Sequence, residues 1–137
     1  MVLFLLNRKF YSMKILQDTI KTKEVNNVIV EFSKEDKQLT FKLTEDIDQH
    51  TVEKVRRKMD NEIKGYSPRK VVFDFSNISF MDSAGIGMVL GRYKLAKMLN
   101  GNLEIINVNK SMKKIFDMSG VSRIINIQEE DGNERVV

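Results

Sequence analysis

Residues 28–32 (Val-Ile-Val-Glu-Phe) are rich in β-forming side chains. After the polar run Ser33-Lys34-Glu35-Asp36-Lys37, residues 39–43 (Leu-Thr-Phe-Lys-Leu) alternate apolar and polar with a period of two. That pattern predicts a β-hairpin with one buried face. The acidic stretch Thr44-Glu45-Asp46-Ile47-Asp48 leads into a different period. Val52, Val55, Met59 and Ile63 recur at spacings of three and four, the stripe of an amphipathic helix. Asp48 or Thr51 is placed to cap its start. Gly65 is placed to end it, and Ser67-Pro68 marks a connection.

Residues 71–75 (Val-Val-Phe-Asp-Phe) form a short, almost wholly apolar run, which suits a central strand covered on both faces. A second helix is expected over 84–99, with Ile86, Val89, Leu90, Tyr93 and Ala96 on one face. Lys94 and Lys97 lie near its C-terminal end, and Asn100-Gly101 is the stop. Residues 103–108 read as the next strand. Met112, Ile115 and Phe116 line a short helix ending near Gly120, and 124–127 read as an edge strand or a packed tail. The order is ββαβαβα with a candidate last strand. The expected fold is α/β, a single domain of helices packed on a mixed sheet.

Composition narrows the chemistry. The chain has 137 residues, enough for one domain with its own core. It has no cysteine and one histidine, His50, so disulfides and thiolate or multi-histidine metal sites are excluded. The net charge of +4, from 23 basic and 19 acidic residues, is mild and dispersed, with no basic stripe of the kind that binds nucleic acid. The apolar run 2–6 is followed at once by Asn7-Arg8-Lys9. It is far shorter than the roughly 20 apolar residues of a spanning helix, and it lacks the layout of a secretory signal. Translation from Met13 would remove it altogether; otherwise it is an arm that packs on the domain or touches a partner. The expected division is an extension over 1–25, the domain over 26–128 and a polar tail over 129–137.

Chemistry concentrates at Ser83, in Phe80-Met81-Asp82-Ser83-Ala84-Gly85-Ile86-Gly87, between the apolar run 71–75 and the second helix. A hydroxyl at a strand-to-helix junction caps a helix, attacks a substrate or accepts a phosphate. Attack is disfavoured. Met81 replaces the first glycine of the Gly-x-Ser-x-Gly elbow, His50 is the only imidazole base, and no glycine-rich oxyanion segment precedes it. Direct nucleotide binding is disfavoured too. Gly85, Gly87 and Gly91 miss the dinucleotide spacing by one residue, and no Gly-Lys-Ser or Gly-Lys-Thr follows. Close packing of the helix on the sheet explains these glycines more simply. Met81, Ile86 and Met88 are candidate apolar docking contacts, set against the equally good reading that they are core.

Three segments carry a family resemblance: Ser79 to Gly87, Leu90-Gly91-Arg92-Tyr93-Lys94, and Phe116-Asp117-Met118-Ser119-Gly120-Val121. Together with the acidic stretch ending in Asp48-Gln49-His50-Thr51, they resemble the bacterial anti-anti-sigma factors, which carry a STAS domain, over roughly residues 27–128. The resemblance implies a partner-switching protein rather than an enzyme. Unphosphorylated, it binds an anti-sigma factor that is also a serine kinase, and so releases a sigma factor. ATP is the kinase's substrate, no cofactor belongs to the chain itself, and a serine phosphatase reverses the modification. Ser83 is the implied phosphoacceptor. Asp82, Ala84 and Gly85 lie in its turn and Asp48 in the loop beside it. Glu45 stands where many relatives carry glycine, and Ala84 where close relatives often carry a second serine. Cytoplasmic sporulation control is the implied setting, with a stress-response or secretion switch as the alternative. A hydrolase using Ser83 and His50 is the remote one. Direct DNA binding and membrane insertion are not expected.

Overall fold

The computed structural model describes residues 20–131. They form one sheet of six strands that lie side by side in sequence order: β1 (Ile20–Val25), β2 (Val28–Ser33), β3 (Gln38–Leu43), β4 (Lys70–Asp74), β5 (Asn102–Val108) and β6 (Asn126–Glu129). The first three are antiparallel, and β3 through β6 run parallel. Each parallel step requires a crossover. The helices α1 (Val52–Tyr66), α2 (Ser83–Met98) and α3 (Lys110–Ser119) supply the three crossovers in turn. The mixed sheet, the β2–β3 hairpin and the helix order agree with the expected α/β class.

The sheet begins earlier than the pattern indicated, so the placement of 1–25 outside the domain is corrected for residues 20–25. Five of the six β1 side chains are exposed, which leaves no core-facing alternation to read. Its place is fixed by the backbone. Val25 pairs with Val28 across Asn26 and Asn27, whose φ angles are +51° and +64°. A two-residue hairpin turn of the favoured hand needs positive φ at both central positions, and asparagine tolerates it better than most residues. Lys23 adds an ion pair to Glu62 of α1. The run 2–6 and Met13 lie outside the described residues.

The core follows the period-two and period-3.6 patterns closely. Val28, Val30 and Phe32 of β2 face inward with Leu39, Phe41 and Leu43 of β3. Val55, Met59 and Ile63 of α1 close over them, with Val52 packed at the margin. Aromatic rings run through this core from β3 to α3: Phe41, Phe73, Phe75 and Phe116 lie 5.7, 5.9 and 6.1 Å apart, centroid to centroid. Offset aromatic contacts of this kind add to the area they bury.

Three boundary expectations change. Gly65 does not end α1. Ser67 takes the left-handed position at φ +44° and donates its N–H to the Ile63 carbonyl, directly before Pro68, which disfavours a helical Ser67. Thr51 is the boundary residue of α1, but its hydroxyl points back to Asp48 rather than onto the helix. The last strand is 126–129, not 124–127: a 3-10 turn at Val121–Arg123 delays it, Ile125 enters the core and Ile124 stays exposed. Glu129, expected in the tail, therefore pairs with Val108.

Candidate functional site: a pinned loop and an exposed hydroxyl

Ser83 does not stand on a sharp strand-to-helix elbow. β4 ends at Asp74 and the loop 75–82 intervenes before α2. That loop is held from several sides. Phe75, Ile78 and Met81 are buried pegs at 1%, 3% and 1% exposure. Ser79 donates both its N–H and its hydroxyl to the Asp46 carboxylate, at 2.8 and 2.6 Å. Asn109, which caps α3 by accepting from the Met112 N–H, donates its side-chain amide to the Ile78 carbonyl at 3.1 Å. Asp74 accepts from the Ser76 N–H and from the Asn107 amide, each at 3.0 Å. Groups from β3's exit, β4 and β5's exit thus fix the loop before the helix starts. A group presented from such a loop loses little conformational entropy when a partner binds.

Asp82, not Ser83, caps α2. Its carboxylate accepts from the N–H groups of Ala84 and Gly85 at 3.0 and 3.1 Å. The capping role offered to Ser83 is therefore filled, and Ser83 becomes the first helical residue. It is exposed, and its hydroxyl has no hydrogen-bond partner among the described residues. The same arrangement bears on the hydrolase reading. An oxyanion needs free N–H donors at the turn, and Asp82 has taken two of them. His50 is exposed, its N–H bonds Asp48, and no hydrogen bond joins it to Ser83 among the described residues.

Asp48 organises its own turn. Its carboxylate accepts from the N–H groups of His50 and Thr51, at 2.9 and 3.0 Å, and from the Thr51 hydroxyl. The Thr51 N–H above all, with that of His50, holds the carboxyl below its ordinary pKa. The residue from this acidic stretch that reaches the site loop is Asp46, which the sequence reading passed over. Glu45 accepts from the Asn27 side chain and so ties the stretch to the β1–β2 turn.

The expected apolar contacts redistribute. Met81 and Met88 are core, at 1% and 3% exposure, and Ile86 is half-buried. The exposed apolar side chain beside the turn is Phe80, at 60%. Its neighbours Ile78 and Met81 point inward, and in an irregular loop no period announces which of three apolar residues is left out. Gly85 also has a local explanation. A Cβ built there would lie 2.2 Å from Met81 Cγ and 2.7 Å from its Sδ, so Met81 folds over the first turn of α2. Gly85→Ala should destabilise the domain by about 1–2 kcal/mol in urea titration, the overpacking cost less the better helix propensity of alanine. No loss would mean that Met81 swings aside freely. Gly87 and Gly91 differ: nothing lies within 4 Å of a Cβ built at either, so close packing of the helix does not account for them.

Among the described residues no cluster of acidic or histidine side chains is arranged to hold a metal ion, and no helix is long and apolar enough to cross a membrane.

The STAS domain model matches residues 20–132, which includes β1. The anti-sigma F factor antagonist of Paenibacillus polymyxa is 36% identical over 95 residues, 69% of this chain and 81% of the relative. That of Lysinibacillus sphaericus is 30% identical over 99 residues, 72% of this chain and 85% of the relative. The anti-sigma-B factor antagonist of Bacillus subtilis is 24% identical over 101 residues, 74% and 91% of the two chains. Among solved structures, unphosphorylated SpoIIAA, an anti-sigma factor antagonist, superposes with a TM-score of 0.61 at 24% identity, covering 85% of this chain and 92% of that one. Phosphorylated SpoIIAA, a Bacillus cell-fate determinant, gives 0.56 at 25% identity over 85% and 96%. The chain belongs to the STAS-domain family, among the anti-sigma factor antagonists.

Proposed function

We propose that this chain binds an anti-sigma factor through the turn around Ser83, so freeing a sigma factor, and that phosphorylation of Ser83 ends the binding. One observation carries the reading: an exposed hydroxyl without a partner stands on the first turn of α2, beside a carboxylate already committed to the cap. Phe80 flanks it as an aromatic contact, the residue type that anchors many interfaces. Ala84, Gly85, Ile86 and Met81 serve the turn from within rather than as the main contact surface, and Asp48 borders it through the adjoining loop.

A phosphate on Ser83 adds about −1.5 to −2 charges. A helix start favours an anion by roughly 0.3–1 kcal/mol, but here Asp82 already takes the Ala84 and Gly85 donors and repels a second anion. The effect on the fold is therefore small in either direction. At an interface the same group must be desolvated next to Asp82, and a penalty of about 3 kcal/mol is a hundredfold loss of affinity. The solved phosphorylated relative still matches this fold at a TM-score of 0.56, in keeping with modification without unfolding.

The kinase is the anti-sigma factor itself, using ATP, and a serine phosphatase restores the active form; both act in the cytoplasm, where sigma factors work. The relatives at 36% and 30% identity are anti-sigma F factor antagonists and those at 24% and 23% anti-sigma-B factor antagonists, which favours the sporulation switch over the stress-response one. The test is incubation with the anti-sigma factor of the same genome and ATP, followed by mass-spectrometric site mapping. Phosphate on Ser83 and on no other serine is the expected result. Phosphate on Ser76 or Ser79, or none, would refute the assignment.

A further inference from the structure

Among the described residues the sheet has two open edges, the outer sides of β1 and β6. An open edge offers backbone donors and acceptors to another strand unless its side chains prevent it. β1 prevents it. Lys21 and Lys23 lie on the core side of the sheet, in register with Phe32 and Val30, and Glu24 lies on the other side. Consider a two-fold antiparallel pairing of β1 with a second β1, centred on any of residues 21–24. Each such pairing sets lysine opposite lysine or glutamate opposite glutamate. Directly opposed like charges are destabilising.

β6 carries no such block. Glu130 donates its N–H to Val108 across the β5–β6 ladder. Successive residues of a strand turn their backbone groups to opposite sides. Asn126 and Gln128 therefore face β5 as Glu130 does, and Ile127 turns both its N–H and its C=O outward. A second β6 laid antiparallel about Ile127 exchanges two hydrogen bonds between the two Ile127 residues. The side chains match as well. Exposed Asn126 stands opposite exposed Gln128, amide against amide. The two half-buried Ile127 side chains meet on the core side, in line with Ile105. Beyond the strand, the antiparallel arrangement brings Arg123 of each copy toward the end of the other, where Glu130 and Asp131 follow. Ile124, 53% exposed, lies in the same stretch.

We propose that the β6 edge is a self-association surface, at which two copies of this chain join as a two-fold dimer and continue one sheet across both. The parallel strands of the two copies then point opposite ways, so the two Ser83 turns lie at opposite ends and both stay open. The joined edge is short, which places the dimer among weak interfaces, with a dissociation constant of about 10 µM to 1 mM. Sedimentation equilibrium of the full chain over about that concentration range tests it. The parent should pass from monomer to dimer. Asn126→Lys/Gln128→Lys sets lysine opposite lysine at two exposed pairs and should weaken association about tenfold. Asn126→Glu/Gln128→Glu should do the same with glutamates. An equimolar mixture of the two variants should regain the parent's association, which misfolded variants would not do. Ser83→Asp should associate as the parent does. A parent that stays monomeric throughout overturns the proposal, whether the edge is bare or taken by another stretch of the same chain. Association that the charged pairs leave unchanged, or a mixture no better than its components, overturns it as well. So does loss of association in Ser83→Asp, which would place the contact at the Ser83 turn.

Discussion

Ser83→Asp binds the anti-sigma factor about a hundredfold more weakly than the parent while melting within a few degrees of it. The two halves of that expectation have separate causes. Ser83 is exposed and makes no side-chain hydrogen bond among the described residues, so its replacement removes no internal contact. A carboxylate in the first helical turn interacts favourably with the helix dipole, by some tenths of a kcal/mol, and the neighbouring Asp82 opposes it by a similar amount. The fold is left nearly where it was. The interface is not: an added charge buried beside Asp82 loses its hydration without gaining a partner, and about 3 kcal/mol corresponds to the hundredfold change. Isothermal titration and a thermal melt on the same sample check both halves. Ser83→Ala serves as control, keeping affinity and removing the modification. Loss of folding in Ser83→Asp would place the effect in the wrong part of the molecule.

The second large effect lies in the ion pair between Asp60 of α1 and Arg92 of α2. Asp60→Asn lowers stability by about 3 kcal/mol, because it strands the Arg92 guanidinium, 7% exposed, without its counter-ion. Burial already pulls the Arg92 pKa below its ordinary value, with Asp60 opposing that pull. The loss falls at the low end for a broken buried pair, since the Asp60 side chain is 26% exposed and Glu53 lends some compensation. Removing both charges, as in Asp60→Leu/Arg92→Met, recovers most of the loss, as apolar replacements of buried pairs commonly do. Urea titration of the three variants gives the coupling directly. A loss below about 0.5 kcal/mol for Asp60→Asn would class the pair with ordinary surface ion pairs.

The central fold was legible because its elements face a core. The stripe Val55-Met59-Ile63 and the alternation Leu39-Phe41-Leu43 are what burial on one side imposes, and those residues are buried as read. β1 was missed for the converse reason: a strand exposed along five of its six positions carries no such imprint. The clue to it was Asn26-Asn27 between Val25 and Val28, which is turn chemistry rather than hydrophobic pattern. At the site, the family resemblance picked out the turn, but the division of labour within it depends on hydrogen-bond directions. Nothing in Asp82-Ser83 as letters says which residue caps and which stays free. Likewise the sequence offers Asp46 and Asp48 two positions apart, and only the folded loop sends Asp46 to Ser79 while Asp48 closes its own turn. Asn109 was passed over although its signal was present, since an asparagine between a strand and a helical stripe is a standard cap. Arg92 drew notice only as part of the resemblance, because an arginine in a helix is ordinarily solvated and its burial depends on Asp60 of α1.

The most direct measurement is the affinity of one preparation for its anti-sigma factor before and after stoichiometric phosphorylation, with the melting temperature of each form taken alongside. The account predicts a loss of about a hundredfold or more in affinity and a melting temperature nearly unchanged. Equal affinity for the two forms, or a phosphorylated form that no longer folds, would contradict it.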